Sequence, residues 1–241
     1  MEETSMKLFE NRTIVSFGDS VMKGIVTEKD MDSQEVQSRY VITEYAFTSL
    51  CAKRLGAKIS NYGRFGNTVR RGLRDVQRYY SQMKAAQYAL LEFGGNDSNH
   101  DWKAISENPE GEFKPETTLE TFRSCYSEMI DLVKSSGCSP VILSLPPVEP
   151  DRFFKNLCRG FCRRQVQNVL RWLGGNVNPI SNWHEMYNLE LYRIASEHNI
   201  PVIDITSCFL SRRDYAEYLC DDGMHPNERG HRLIADVLIS C

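Results

Sequence analysis

The sequence has no apolar run approaching the ~18 residues of a membrane-spanning helix, and its eight cysteines include no CxxC pair. Neither sign of charge dominates: 29 basic and 32 acidic residues leave a formal net charge of −3. Each absence removes a class of explanation. The first excludes a chain that crosses a membrane as an apolar helix. The second removes the usual mark of a structural zinc or a dithiol redox site. The third takes away the electrostatic reason to expect nucleic acid as a partner. The opening stretch MEETSMKLFENR is polar and lacks the apolar centre of a secretory signal. A cytoplasmic setting with free thiols is therefore expected. Low-complexity tracts and internal repeats are also lacking, so the 241 residues read as a single domain able to bury its own core.

What is present is an alternation. Short, nearly continuous apolar runs occur at Thr13 to Phe17, Ala57 to Ser60, Tyr88 to Phe93, Pro140 to Leu145 and Pro201 to Ile205. Such runs suit strands covered on both faces. Helical patterns lie between them at Tyr40 to Leu55, Thr68 to Met83, Thr117 to Lys134, Trp183 to His198 and Glu228 to Ile239. Strand–helix alternation predicts a parallel sheet with helices on both faces. The irregular stretch 150–183 reads as a helical insertion in that domain. In such sheets a ligand sits beyond the carboxyl ends of the strands.

Four of the five strand ends carry small or polar clusters. They are Gly18-Asp19-Ser20, the run Asn61 to Asn67 with Gly63 and Gly66, Gly94-Gly95-Asn96-Asp97, and Asp221-Asp222-Gly223-Met224-His225-Pro226 before the last helix. Taken singly, each admits a plain structural role. Ser20 suits a helix cap, the glycines suit turns, and Pro226 suits the start of a helix. Taken together, they supply a hydroxyl, backbone N–H groups, a side-chain amide and an Asp-x-x-His pair. Those are the parts that acyl transfer uses.

In order and spacing these four blocks resemble those of the SGNH (GDSL-type) serine hydrolases, and they span residues 18 to 225. Val21 stands where that family often has leucine. The resemblance implies a three-layer α/β sandwich on a flavodoxin-like, five-stranded parallel sheet. It implies Ser20 as nucleophile, His225 as general base and Asp222 as the carboxylate that orients it. The backbone N–H groups of Ser20 and Gly63 and the amide of Asn96 are then the oxyanion donors. It implies a carboxylic ester hydrolase without cofactor or metal. His184-Glu185 begins an HExxH pattern, but Asn188 stands where the second zinc ligand belongs.

The blocks define a reaction and leave the ester open. The lack of a wide apolar tract favours a short acyl group, such as acetyl, on a carbohydrate or other polar alcohol. A lysophospholipase or thioesterase acting on longer chains is the alternative. The expected partner is a small-molecule ester, with no nucleic acid and no stable membrane association. Homo-oligomer contacts, if formed, would use the 150–183 insertion. That insertion carries Phe153, Phe154, Phe161, Trp172 and Trp183, with Arg152, Lys155, Arg159, Arg163, Arg164 and Arg171. It admits three readings: an amphipathic helix with a solvated basic side, a cap over the site or contact that attracts anionic substrate, or a lipid-facing surface. A nucleotide-binding doubly wound protein is disfavoured, because SFGDSVMKG lacks a phosphate-cradling GxGxxG.

Overall fold

Five strands form a parallel sheet at the centre of a computed structural model, which describes residues 7–29 and 38–241. In chain order the elements begin β1 (Thr13–Gly18), α1 (Ser20–Lys23), β2 (Ile25–Lys29), β3 (Ser38–Ile42), α2 (Phe47–Leu55) and β4 (Lys58–Asn61). They continue through α3 (Val69–Arg78), α4 (Tyr80–Met83), β5 (Tyr88–Glu92), α5 (Trp102–Glu107), α6 (Leu119–Ser135) and β6 (Ser139–Leu143). The last are α7 (Pro150–Leu157), α8 (Arg163–Trp172), α9 (Asn178–His198), β7 (Val202–Ile203), α10 (Thr206–Leu210) and α11 (Glu228–Ser240).

The sheet order is β4-β1-β5-β6-β7, the flavodoxin-like pattern, and β1 pairs in parallel with both β4 and β5. The chain thus leaves β1 in one direction to β4 and returns on its other side to β5. Where the order reverses, the loops after β1 and β5 part and leave a crevice.

Successive side chains of a strand face opposite ways, and each face of this sheet has its own core. Val15, Phe17, Ala89, Leu91 and Ile142 pack with α3, α6 and α9 through residues such as Val76, Phe122, Met129 and Leu191. Ile14, Leu90, Val141 and Leu143 pack on the other side with Phe47 of α2 and with Ile234 and Leu238 of α11. A third cluster lies beside the strand ends. It joins Trp102 and Ile105 of α5, Phe153 of α7, Val169 of α8 and Ile180 of α9. Helices α7 and α8 thus pack by their apolar sides, while Lys155, Arg159, Arg163, Arg164 and Arg171 are exposed.

Four elements differ from the sequence reading, the first being the expected helix Thr68 to Met83, which is broken at Tyr79 into α3 and α4. Residues 40–42 are not helical. Ser38–Ile42 pairs antiparallel with Ile25–Lys29 in a separate two-stranded ribbon, and the helix starts at Phe47. The β-branched run Val41-Ile42-Thr43 favours extended backbone over helix. The fifth sheet strand shrinks to Val202–Ile203, because Asp204 turns the chain by accepting the Ser207 N–H at 2.9 Å at the start of α10. Helix α9 begins at Asn178, five residues ahead of Trp183, with Pro179 in its first turn, where proline costs no hydrogen bond.

Candidate active site

Ser20 stands where the chain turns sharply out of β1. A Cβ at Gly18 would lie 2.5 Å from the Met22 Cβ and 2.8 Å from the Glu92 carbonyl oxygen, so only glycine allows this approach. The cap of α1 is Asp19, whose Oδ1 accepts the Val21 N–H at 2.8 Å. The Ser20 hydroxyl is therefore released from capping. Its Oγ lies 2.8 Å from Nε2 of His225, 205 residues away in sequence.

His225 is held from its other nitrogen. Asp222 Oδ2 lies 2.7 Å from His225 Nδ1, while Asp222 Oδ1 accepts the N–H groups of Met224 at 3.0 Å and His225 at 3.1 Å. The Asp-x-x-His spacing thus makes a turn in which one carboxylate grips both the backbone and the ring of the same histidine. Burial alone would raise the Asp222 carboxyl; the His225 hydrogen bond, its charge and the two N–H groups outweigh that and hold it below the usual range. The turn is clamped to α7. The Glu149 N–H donates to the Gly223 oxygen at 2.8 Å, and a Cβ on Gly223 would lie 2.6 Å from the Glu149 oxygen and the Phe153 nitrogen.

The expected donors divide. Ser20 N–H has no acceptor among the described residues. Asn96 Nδ2 donates to Asp19 Oδ2 at 2.9 Å, which orients the amide and leaves its second hydrogen free. Gly63 departs from the expectation. Its N–H is taken by Asn61 Oδ1 at 2.8 Å, and it packs against the backbone of Met22 and Lys23 rather than lining the cavity at Ser20. Three residues on, Gly66 shares a shallow hollow with Asn96 and Asn99, and its N–H has no partner among the described residues.

Two buried carboxyls lie beneath Ser20. Glu92, opposite Gly18 in the β1–β5 register, brings Oε2 within 3.4 Å of the Asp19 nitrogen. Burial and then the Asp19 charge push Glu92 well above the usual carboxylate range, and burial pushes Asp19 up as well. Two such groups in contact cannot both ionise cheaply, so a proton stays between them. The sign for stability follows. Above the ordinary glutamate value of 4.5, the folded chain holds a proton that the unfolded chain has lost, so stability falls as pH rises. The loss is at most about 1.4 kcal/mol per pH unit for each such proton. Glu92→Gln keeps a donor and an acceptor without a charge. Its Tm relative to wild type is expected to rise as the pH is raised above that ordinary glutamate value. A constant difference above that value, followed by calorimetry, would remove this account.

A cavity of about 60 Å³ opens beside Ser20. Gly95, Asn96, Ser98 and Asn99 border it on one side, and Leu145, Val148, Phe153, Ile180, Trp183 and Met224 supply apolar walls. His184 also lines it, buried, with Nδ1 unpartnered among the described residues and 3.8 Å from Glu185 Oε1. Glu92 and His184 were not legible as site residues. The only signals were a lone acid inside YALLEF and half of a metal motif. Tyr40 and Phe65 crowd the outer side of His225, with ring centroids at 5.3 and 6.0 Å, and are 43% and 55% exposed.

Other candidates lie elsewhere. Asp204 accepts the Ser207 N–H at 2.9 Å and the Ser207 hydroxyl at 2.6 Å at the start of α10, away from His225. His231 is buried against Phe47, and burial lowers it to about 4. All eight cysteines are free thiols. Among the described residues no three His, Cys, Asp or Glu side chains converge as a metal-ligand set, and no helix is long and apolar enough to cross a membrane.

A serine, an imidazole and a carboxylate in hydrogen-bond sequence at the switch point of a flavodoxin-like sheet define an α/β serine hydrolase geometry. The family profile for GDSL-like lipases/acylhydrolases matches residues 16–233. The chain belongs to that family and is a carboxylic ester hydrolase. Solved structures share the fold at low identity. A lipase/acylhydrolase from Enterococcus faecalis is 18% identical, with 95% of this chain and 94% of that chain covered at a TM-score of 0.59. A G-D-S-L family lipolytic protein from Veillonella parvula is 18% identical, with 95% and 96% covered at 0.62. A catalytic mutant of an acetylxylan esterase from Geobacillus stearothermophilus is 16% identical, with 98% and 95% covered at 0.65. No protein of curated function matches the sequence.

Proposed function

We propose that the chain hydrolyses esters of short acyl groups, acetyl above all, carried on a carbohydrate or other polar alcohol. The observation that carries the reading is the size of the cavity beside Ser20. An apolar cavity of ~150 Å³ holds benzene, so one of about 60 Å³ holds two or three heavy atoms. That fits an acetyl group and not a fatty acyl chain. The acyl group stays on the enzyme until water arrives, so it suits the walled cavity. The alcohol leaves past His225, on the side where exposed Tyr40 and Phe65 offer ring faces to a pyranose. The fold likeness to an acetylxylan esterase supports the same substrate class.

The chemistry follows from the hydrogen bonds. His225 Nε2 accepts the Ser20 proton as Oγ attacks the ester carbonyl, and Asp222 stabilises the imidazolium and keeps its orientation. The oxyanion is met by Ser20 N–H and the free hydrogen of Asn96, with the N–H of Gly66 in the place first expected of Gly63. His225 then passes its proton to the departing alcohol. A water, deprotonated by the same nitrogen, releases the acid. Asn96→Ala is expected to lower kcat by about 10²- to 10³-fold with a small change in KM. A change confined to KM would place Asn96 in ground-state binding instead.

The decisive experiment is a series of p-nitrophenyl esters from acetyl to dodecanoyl, with acetylated xylo-oligosaccharides, on wild type and Ser20→Ala. The expected result is the highest kcat/KM on acetyl, acetate release from the saccharide, and loss of both in the variant. An optimum at octanoyl or longer would replace this reading with the lipid one. Equal activity of the two proteins would end it.

A further inference from the structure

Two hollows lie side by side along α9, and one side chain separates them. The first is the cavity at Ser20, to which α9 contributes Ile180, Trp183 and His184. The second is larger, about 360 Å³, and lies one helical turn on, lined by Pro115, Leu119, Met186 and Tyr187 among others. Only Ser98 and Trp183 line both. Ser98 is small and its hydroxyl donates to the Gly95 oxygen at 3.0 Å, so the indole is the bulk of the partition. The indole packs against the His100 ring at 4.8 Å, which also lines the second hollow, and against the Trp172 ring at 5.2 Å.

We infer that Trp183 is the specificity-determining wall that confines the acyl group to a short chain, and that the hollow behind it is a latent site for a longer one. This rests on the reading of the cavity at Ser20 as the acyl pocket. An acyl group of two or three heavy atoms ends against the indole. Among the described residues, a longer chain that passes Trp183 enters the second hollow, whose walls of proline, leucine, methionine and tyrosine, with His100 and Thr118, are apolar enough to receive it. Each methylene so buried is worth about fourfold in kcat/KM. Four added methylenes can therefore reverse an acetyl preference once the wall is gone.

The test compares p-nitrophenyl acetate, butyrate, hexanoate and octanoate on wild type, Trp183→Ala and Trp183→Leu. Trp183→Leu keeps an apolar filler at the position and guards against a cavity variant that fails to fold. The expected result is at least a tenfold rise in the octanoate-to-acetate ratio of kcat/KM in Trp183→Ala and a smaller rise in Trp183→Leu. Adding Met186→Trp to Trp183→Ala refills the second hollow and is expected to cancel the gain. An unchanged ratio in either folded Trp183 variant overturns the inference, as does a gain that survives Met186→Trp. The two readings fail separately. A wild type that already prefers octanoate removes the acyl-pocket reading, whereas a wild type that prefers acetate alongside unresponsive variants removes only the role of Trp183.

Discussion

Ser20→Ala is expected to lose at least about 10⁴-fold in kcat/KM toward p-nitrophenyl acetate while unfolding within about 2 °C of wild type. The two halves of that result have separate causes. The hydroxyl carries the covalent step, and nothing replaces it. The fold does not depend on it, because α1 is capped by Asp19 rather than by Ser20. His225→Ala is expected to cost about as much, since Oγ at 2.8 Å from Nε2 has no other base in contact with it among the described residues. The double variant should be no worse than either single one. Groups that act as one device are lost together, so their effects do not add. Additive losses, measured as kcat/KM in the three variants, would mean that Ser20 and His225 work independently and that the proton path drawn above is wrong.

Asp222→Asn is expected to lower kcat by about 10⁴-fold with the turn intact. The amide oxygen can still accept the N–H groups of Met224 and His225, so the backbone keeps its shape. The amide NH₂ then faces His225 Nδ1 and forces that nitrogen to accept. The ring proton moves to Nε2, where it points at the Ser20 oxygen and cannot take a second proton from it. Asp204→Asn is the control. It removes a negative charge from the N-terminal end of α10 while keeping an acceptor for Ser207, with an expected cost of about 0.3–1 kcal/mol in stability, and should leave kcat/KM within about twofold. The reverse outcome, a dead Asp204→Asn and an active Asp222→Asn, would exchange the two roles.

Strands β1, β5 and β6 stand out in the sequence because both faces of the sheet are covered, which demands nearly continuous apolar residues. The β2–β3 ribbon did not, because Tyr40 to Thr43 abuts a true helix and the two patterns merge over so short a span. Glu92 shows the limit from the other side. A single acid in an apolar run reads as a strand end, and only the parallel register with Gly18 places it under Asp19.

Ser20, Asn96, Asp222 and His225 could be singled out from sequence for a physical reason. A parallel α/β sheet puts every strand end at one rim, so polar clusters following strands must be near neighbours whatever their separation in the chain. Contacts between loops are not written that way. Whether Gly63 or Gly66 offers its N–H turns on the Asn61 side chain, which reaches over to take the first. Trp183 meets the Ser20 cavity only because α9 starts at Asn178 and runs past Ile180 toward Ser98. The chain alone determined the reaction, because a nucleophile, base and orienter are residue types at fixed places along it. The tertiary structure decided the room left for the ester, because a cavity is bounded by side chains that share no pattern in sequence and meet only when the layers pack.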